Sequence, residues 1–275
     1  MISRSIRAAV AVAAVSAVLP CLAQDKPEKR DWTFRPVVIE AKDGVGATLA
    51  LDYQLKGEIF RRDFTKDDSA SAVLDPDAVI GAAVVGYAGK GTVAASKERN
   101  PRNFLDLLLD LKYRRSSSAG SYDGGAFVKY EADQSFESKQ AVYGAHLAGA
   151  KLAIFSNSDF AFGQLNYGRV DPSKDAARKA VLGDRLRAYY RWDAEVLYLI
   201  PVKVSVIDTL EVNYRYFQEV APPGEIKRAG LDVFKLATAR LGLPHGVFVA
   251  YSTGKLPFDR TKDRVFEMGW TYKIP

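Results

Sequence analysis

Across residues 49–59 the chain places Leu49, Leu51, Tyr53, Leu55 and Ile59 at odd positions and mostly polar residues, among them Asp52, Gln54, Lys56 and Glu58, at even ones. Successive side chains of a β-strand point to opposite faces, so a period of two makes one apolar face and one polar face. The pattern recurs along most of the chain. It constrains the fold more than any single motif, because each such strand needs an apolar medium on one side and a polar one on the other.

The clearest repeat is 185–200. Leu186, Ala188, Tyr190, Trp192, Ala194, Val196, Tyr198 and Ile200 form one face, and Arg185, Arg187, Tyr189, Arg191, Asp193 and Glu195 the other. In 206–217 Leu210, Val212, Tyr214 and Tyr216 oppose Glu211, Asn213 and Arg215. In 103–114 Leu105, Leu107, Leu109, Leu111 and Tyr113 oppose Asp106, Asp110 and Lys112, and the last strand has Phe266, Met268, Trp270, Tyr272 and Ile274 on one face. Further strands are expected at 33–41, 47–61, 79–97, 125–133, 140–154, 159–170, 228–241 and 247–254. The total is about twelve, with ten to fourteen compatible because 79–97 is long enough to hide a bulge or a second strand.

The connections point the same way. Counted back from the C-terminus, 255–263, 218–227 and 171–184 are long, and they alternate with the short 242–246, 201–205 and 155–158. Long loops at one end and tight turns at the other describe an up-and-down barrel with both termini at the turn end. The alternation fails at 64–78, which is long where a turn is expected. Residues 171–182 hold the one helix candidate, with Pro172 in its first turn and alanine-rich helix formers after it.

At the N-terminus Arg4 and Arg7 precede an apolar run over 8–19, then Cys21-Leu22-Ala23 and the polar Gln24-Asp25-Lys26. This is the order of a secretory signal, with cleavage expected after Ala23. The run is too short for the ~20 apolar residues of a membrane-spanning helix. A lipoprotein signal ending at Cys21 is the competing reading, set back by Pro20 where a small residue is expected. The domain reading is therefore a signal over 1–23, a polar leader over 24–31 and one barrel domain over 32–275.

Cleavage removes the single cysteine, leaving no thiol for disulfides, metal or nucleophilic chemistry. It also removes Arg4 and Arg7 without any acid, so the net charge falls from +6 to +4. Acids and bases are mixed throughout, which argues against a nucleic-acid-binding stripe. The 48% hydrophobic fraction is that of an ordinary soluble protein. A membrane barrel has the same average, since only its outward faces are apolar.

A soluble sandwich or lipocalin-like barrel also alternates, but it turns its apolar face inward. Here the other face is rich in charges of both signs, which a packed core could hold only at a large desolvation cost. Lipid outside and charge inside resolves the conflict. With its alternating strands, its aromatic residues Tyr113, Tyr190, Trp192, Tyr214, Tyr216, Trp270 and Tyr272, and its apolar final strand, the chain resembles the Gram-negative outer-membrane β-barrel class over essentially its whole mature length. Barrels of that class usually end in an aromatic residue, whereas this chain ends Ile274-Pro275.

The resemblance implies an all-β, antiparallel up-and-down transmembrane barrel in the outer membrane, with membrane lipid and the barrel assembly machinery as partners. The inward charges Arg187, Arg191, Asp193, Glu195, Glu211 and Arg215 are the candidate binding residues. They are read first as the lining of a narrow channel for passive passage of small polar solutes; the alternative is a closed lumen satisfied by its own ion pairs. A structural or surface-interaction role goes with the second. A lipid hydrolase comes last: His146 and His245 are the only histidines, and the serine that barrel hydrolases place two residues after the histidine is Ala148 after His146. No HExxH, Walker or EF-hand pattern is present, so no cofactor or metal is expected.

Overall fold

The alternating segments form strands that pair with their neighbours in the chain. The computed structural model describes residues 30–41, 46–64, 80–117, 120–156, 158–183, 186–204, 206–259 and 263–274. The strands are β1 Arg30–Ala41, β2 Thr48–Asp63, β3 Ile80–Ala94, β4 Leu105–Ser117, β5 Gly120–Ala132, β6 Lys139–Leu152 and β7 Phe160–Lys174. They continue with β8 Tyr189–Val204, β9 Ile207–Glu219, β10 Val233–Gly242, β11 Val247–Lys255, β12 Asp263–Trp270 and β13 Tyr272–Ile274. Helices α1 Ala176–Leu182 and α2 Gly224–Arg228 lie between strands.

All pairings are antiparallel and follow chain order, and β12 returns to β1 with Val38 opposite Met268. The sheet is closed. The pair β12 and β13 is one strand interrupted at Thr271, whose N–H turns away to donate to Gly246 O at 2.8 Å in the connection between β10 and β11. Beyond it β13 rejoins β1 with Trp32 opposite Ile274. Twelve strands therefore encircle the lumen, as the alternation implied.

The outward face is apolar. Leu49, Leu107, Leu111, Leu147, Val196, Met268 and Trp270 are exposed, Leu49 by 68% and Leu147 by 67%. In water each such side chain would forgo about 1.5–3 kcal/mol of burial; against hydrocarbon it forgoes none. The inward residues are the buried ones, including Asp106, Asp110, Lys129, Glu131, Arg191 and Asp193. Hydrophobic clusters also sit inside: Phe104, Phe217, Leu236 and Leu256 in one, and Val37, Ile39, Phe248, Ala250 and Val265 along the β11–β12–β1 seam.

Several boundaries differ from the sequence reading. Where the sequence reading left room for two strands, Ile80–Ala94 forms one. Pro172 lies in β7 opposite Gln140, and the helix begins only after Asp175, whose carboxylate accepts from the Arg178 N–H at 2.9 Å. β10 starts at Val233; Arg228, where the strand was expected to begin, ends α2, a turn of helix too short to leave an apolar period. The barrel starts at Arg30, inside the expected leader, while the signal and residues 24–29 lie outside the described residues. In β2 the register slips between Glu58 and Phe60, a bulge that turns Arg61 back inside to meet Glu58 at 3.6 Å.

Candidate functional site in the lumen

Strand alternation aims a column of charge inward from each wall, and the sheet's closure makes the columns meet. Toward the loop end Arg191, third residue of β8, holds Glu131, last but one in β5, with two bonds, 2.7 and 3.1 Å, and Asp193 at 2.5 Å. Lys129 completes the group, 2.6 Å from Glu131 and 2.9 Å from Asp193. Two cations and two anions thus neutralise one another, as groups so thoroughly removed from water must. The Arg191 guanidinium also lies over the Phe217 ring at 4.9 Å.

Two further pairs reach across the lumen. Lys90 Nζ on β3 meets Glu195 Oε2 on β8 at 2.5 Å, and Arg215 Nη2 on β9 meets Asp106 Oδ2 on β4 at 3.2 Å. Asn213 Nδ2 donates to the other Glu195 oxygen at 2.9 Å. Arg215 packs against both Phe104 and Phe217, at 5.3 and 5.2 Å from their centroids, beside the edge contact the two rings make with each other. Glu195 and Arg215 thus each have both a counter-ion and an amide or aromatic neighbour.

At the end that carries the long connections, neighbouring connections are tied to one another. Asp259, between β11 and β12, accepts from Leu256 N at 2.7 Å and from Asn103 N at 2.8 Å, tying that connection to the one before β4. Arg102 reaches Ser252 and lies 3.9 Å from Asp259 and 3.6 Å from Glu267. Burial pushes the Asp259 carboxyl up to about 6, against the opposing pull of Arg102 and the two amides. Arg178 of α1 grips Glu219 at 2.7 and 3.1 Å and stacks 4.0 Å over Tyr189.

Toward the turn end the lumen opens into a cavity of 570 Å³ whose lining includes Glu58, Lys90, Asp110, Arg114, His146 and Glu195. Arg114 bridges Glu58 at 2.6 Å and Asp123 at 3.5 Å, and His146 Nε2 stands 3.4 Å from Asp123. A smaller space of 290 Å³ lies at the loop end beside Asp175, Tyr189 and Phe258. Among the described residues no group of three or more His, Cys, Asp or Glu side chains is placed to hold a metal ion.

Of the six residues selected from sequence, the structure brings Arg191, Asp193, Glu195 and Arg215 into this central network. Glu211 stands apart, in a cross-strand pair with Arg240 at 3.2 Å. Arg187 is not in a strand at all: β8 begins at Tyr189, and Arg187 is exposed ahead of it. Arg185 lies outside the described residues. The partners Lys90, Lys129 and Glu131 were missed, although Lys129 and Glu131 alternate with Val128 and Tyr130 and so carry the same signal. What the sequence lacks is the pairing across the barrel.

No family model matches the chain, and no curated protein is significantly similar to it. Solved structures do match in outline. OmpT, an outer membrane protein of Vibrio cholerae in its trimer form, is 9% identical with a TM-score of 0.41, covering 90% of this chain and 99% of that one. An outer membrane channel from Pseudomonas putida F1 is 10% identical with a TM-score of 0.38, over 92% and 97%. The translocator domain of the autotransporter NalP from Neisseria meningitidis is 10% identical with a TM-score of 0.31, over 98% and 97%. At such similarity the class rests on the barrel's own geometry: a closed antiparallel ring, apolar outside and charged within. The chain has the fold of an outer-membrane β-barrel. That fold accommodates many activities, so function must be argued from the lumen.

Proposed function

We propose that this is an outer-membrane barrel with a closed, ion-paired lumen, serving a structural or surface-interaction role rather than free solute passage. The observation that carries the reading is the pair of transverse contacts, Lys90 to Glu195 and Arg215 to Asp106, drawn between strands on facing walls. A pore that conducts holds its charges in rings around an open path. Here opposite charges are joined over the path, and the Arg191 group neutralises itself beside them. The long connections, held together by Asp259 and Arg178, form the surface offered to a partner. Export by a cleaved signal and insertion by the barrel assembly machinery belong to this reading.

A narrow channel for small polar solutes is the second reading, favoured by the 570 Å³ cavity that runs from Arg30 at the turn end up to Lys129 and Asp193. A hydrolase has less support, since the contact of His146 is with Asp123 and its Nδ1 has no hydrogen-bond partner. The test is uptake by liposomes containing the refolded protein. The closed reading expects no swelling in arabinose or glycine beyond protein-free liposomes, and swelling at the rate of an open porin supports the channel instead.

A further inference from the structure

One cation-rich patch faces lipid instead of the lumen. Arg169 on β7 shares its face with Leu165 and Tyr167, and its register partners are Tyr143 on β6 and Tyr190 on β8. Tyr167 stacks on Tyr190 at 5.7 Å between centroids and lies 4.6 Å from the Trp192 ring. All four aromatic residues are exposed. Nearer the loop end Lys139 and Lys174 are register partners of each other, with exposed Asp171 between them and Arg169 along β7.

The inward bases Lys90, Lys129, Arg191 and Arg215 all have carboxylate partners. In contrast, among the described residues no carboxylate lies within 4.0 Å of Arg169, Lys139 or Lys174. The Arg169 Nε is buried with no hydrogen-bond partner. An arginine on a barrel's lipid face costs about 2–4 kcal/mol at the midplane and about 0–1 near the interface. At the loop-end border of the apolar belt it stands where lipid headgroups lie, and aromatic side chains favour that same level.

We propose that this patch binds the headgroup of a phosphorylated glycolipid in the leaflet at the loop end. Three bases against one acid leave a local charge of +2, which matches a headgroup with two phosphates better than a single phosphodiester. The guanidinium takes one phosphate through paired N–H donors, which Lys cannot reproduce. Lys139 and Lys174 supply the remaining positive charge. The rings of Tyr143, Tyr167, Tyr190 and Trp192 lie along the upper acyl chains.

The test is native mass spectrometry of the full refolded chain in detergent with added lipid A, which carries two phosphates. The wild type is expected to retain lipid A, and Arg169→Gln to bind it about tenfold more weakly, the scale of one lost charge-assisted contact. Dephosphorylated lipid A should bind to the wild type at least as weakly as lipid A does to the variant. Equal retention by wild type and Arg169→Gln overturns the proposal. So does equal binding of the dephosphorylated lipid, or displacement by an equal concentration of inorganic phosphate, which marks a free-anion site. If Arg169→Gln fails to assemble, Lys139→Gln/Lys174→Gln at the rim takes its place, and unchanged retention by that double variant is equally fatal.

Discussion

The ammonium of Lys90 and the carboxylate of Glu195 meet at 2.5 Å although four strands, β4 to β7, separate them on the shorter way round the barrel. Such a contact braces facing walls, so its loss is felt by the whole ring. Glu195→Gln leaves Lys90 facing a neutral amide. Because both side chains keep some exposure, 32% and 21%, the expected cost is about 1–3 kcal/mol, below that of a fully buried pair. Urea unfolding of the refolded protein measures it, and an unchanged midpoint contradicts the contact.

The orientation of β8 gives a sharper contrast. Val196 is 55% exposed at the middle of the strand, next to Glu195 on the opposite face. Val196→Arg places a charge in lipid at an expected cost of about 2–4 kcal/mol, so the heat-modifiable folded band should diminish far more than for Glu195→Gln. Equal bands would mean that the two faces have been exchanged.

Alternation made most of this fold readable from sequence, and its failures have physical causes. The faces of Leu107 and Asp106, or of Val196 and Glu195, follow from period two alone, because lipid and a charged lumen select opposite residues. Arg187 shows the limit: it continues the alternation of β8, yet the strand's pairing with β7 begins only at Tyr189. Pro172 looked like a helix start because proline suits a first turn, but it also suits a strand position that needs no N–H, and β7 extends through it. The central network was half legible. Arg191, Asp193 and Arg215 could be placed inside, whereas the choice of Glu131, Lys129 and Asp106 as partners depends on barrel closure and leaves no local trace.

The buried quartet should be the most sensitive part of the molecule. Glu131 is fully buried and answers both Arg191 and Lys129. Glu131→Gln strands one positive charge, and breaking a buried pair in this way costs about 3–5 kcal/mol. Glu211→Gln, in the pair with Arg240 that is less buried than the quartet, should cost about 1–3 kcal/mol. Unfolding midpoints for the two variants check the order; a reversal would place the structural centre of the lumen elsewhere.

Acid should tighten the loop end. The Asp259 carboxyl rises from its ordinary 3.8 to about 6 in the folded protein, so the folded state binds its proton more tightly than the unfolded state. Its contribution therefore grows as pH falls through 6 toward 4, and declines as pH rises through the same window, by an amount on the order of 2 kcal/mol. Asp259→Asn should flatten the wild-type stability slope across this window. Parallel slopes for wild type and variant, from urea midpoints at pH 4.5 and 7.5, would contradict the assignment.

Single-channel recording in a planar bilayer tests the closed lumen most directly. The refolded wild type should be silent at moderate voltage, since Lys90–Glu195 and Arg215–Asp106 span the path. The double variant Lys90→Gln/Arg215→Gln removes both tethers and frees Glu195 and Asp106, and it should show a cation-preferring leak because the remaining fixed charge is negative. Stable wild-type conductance steps that the double variant leaves unchanged would contradict the account.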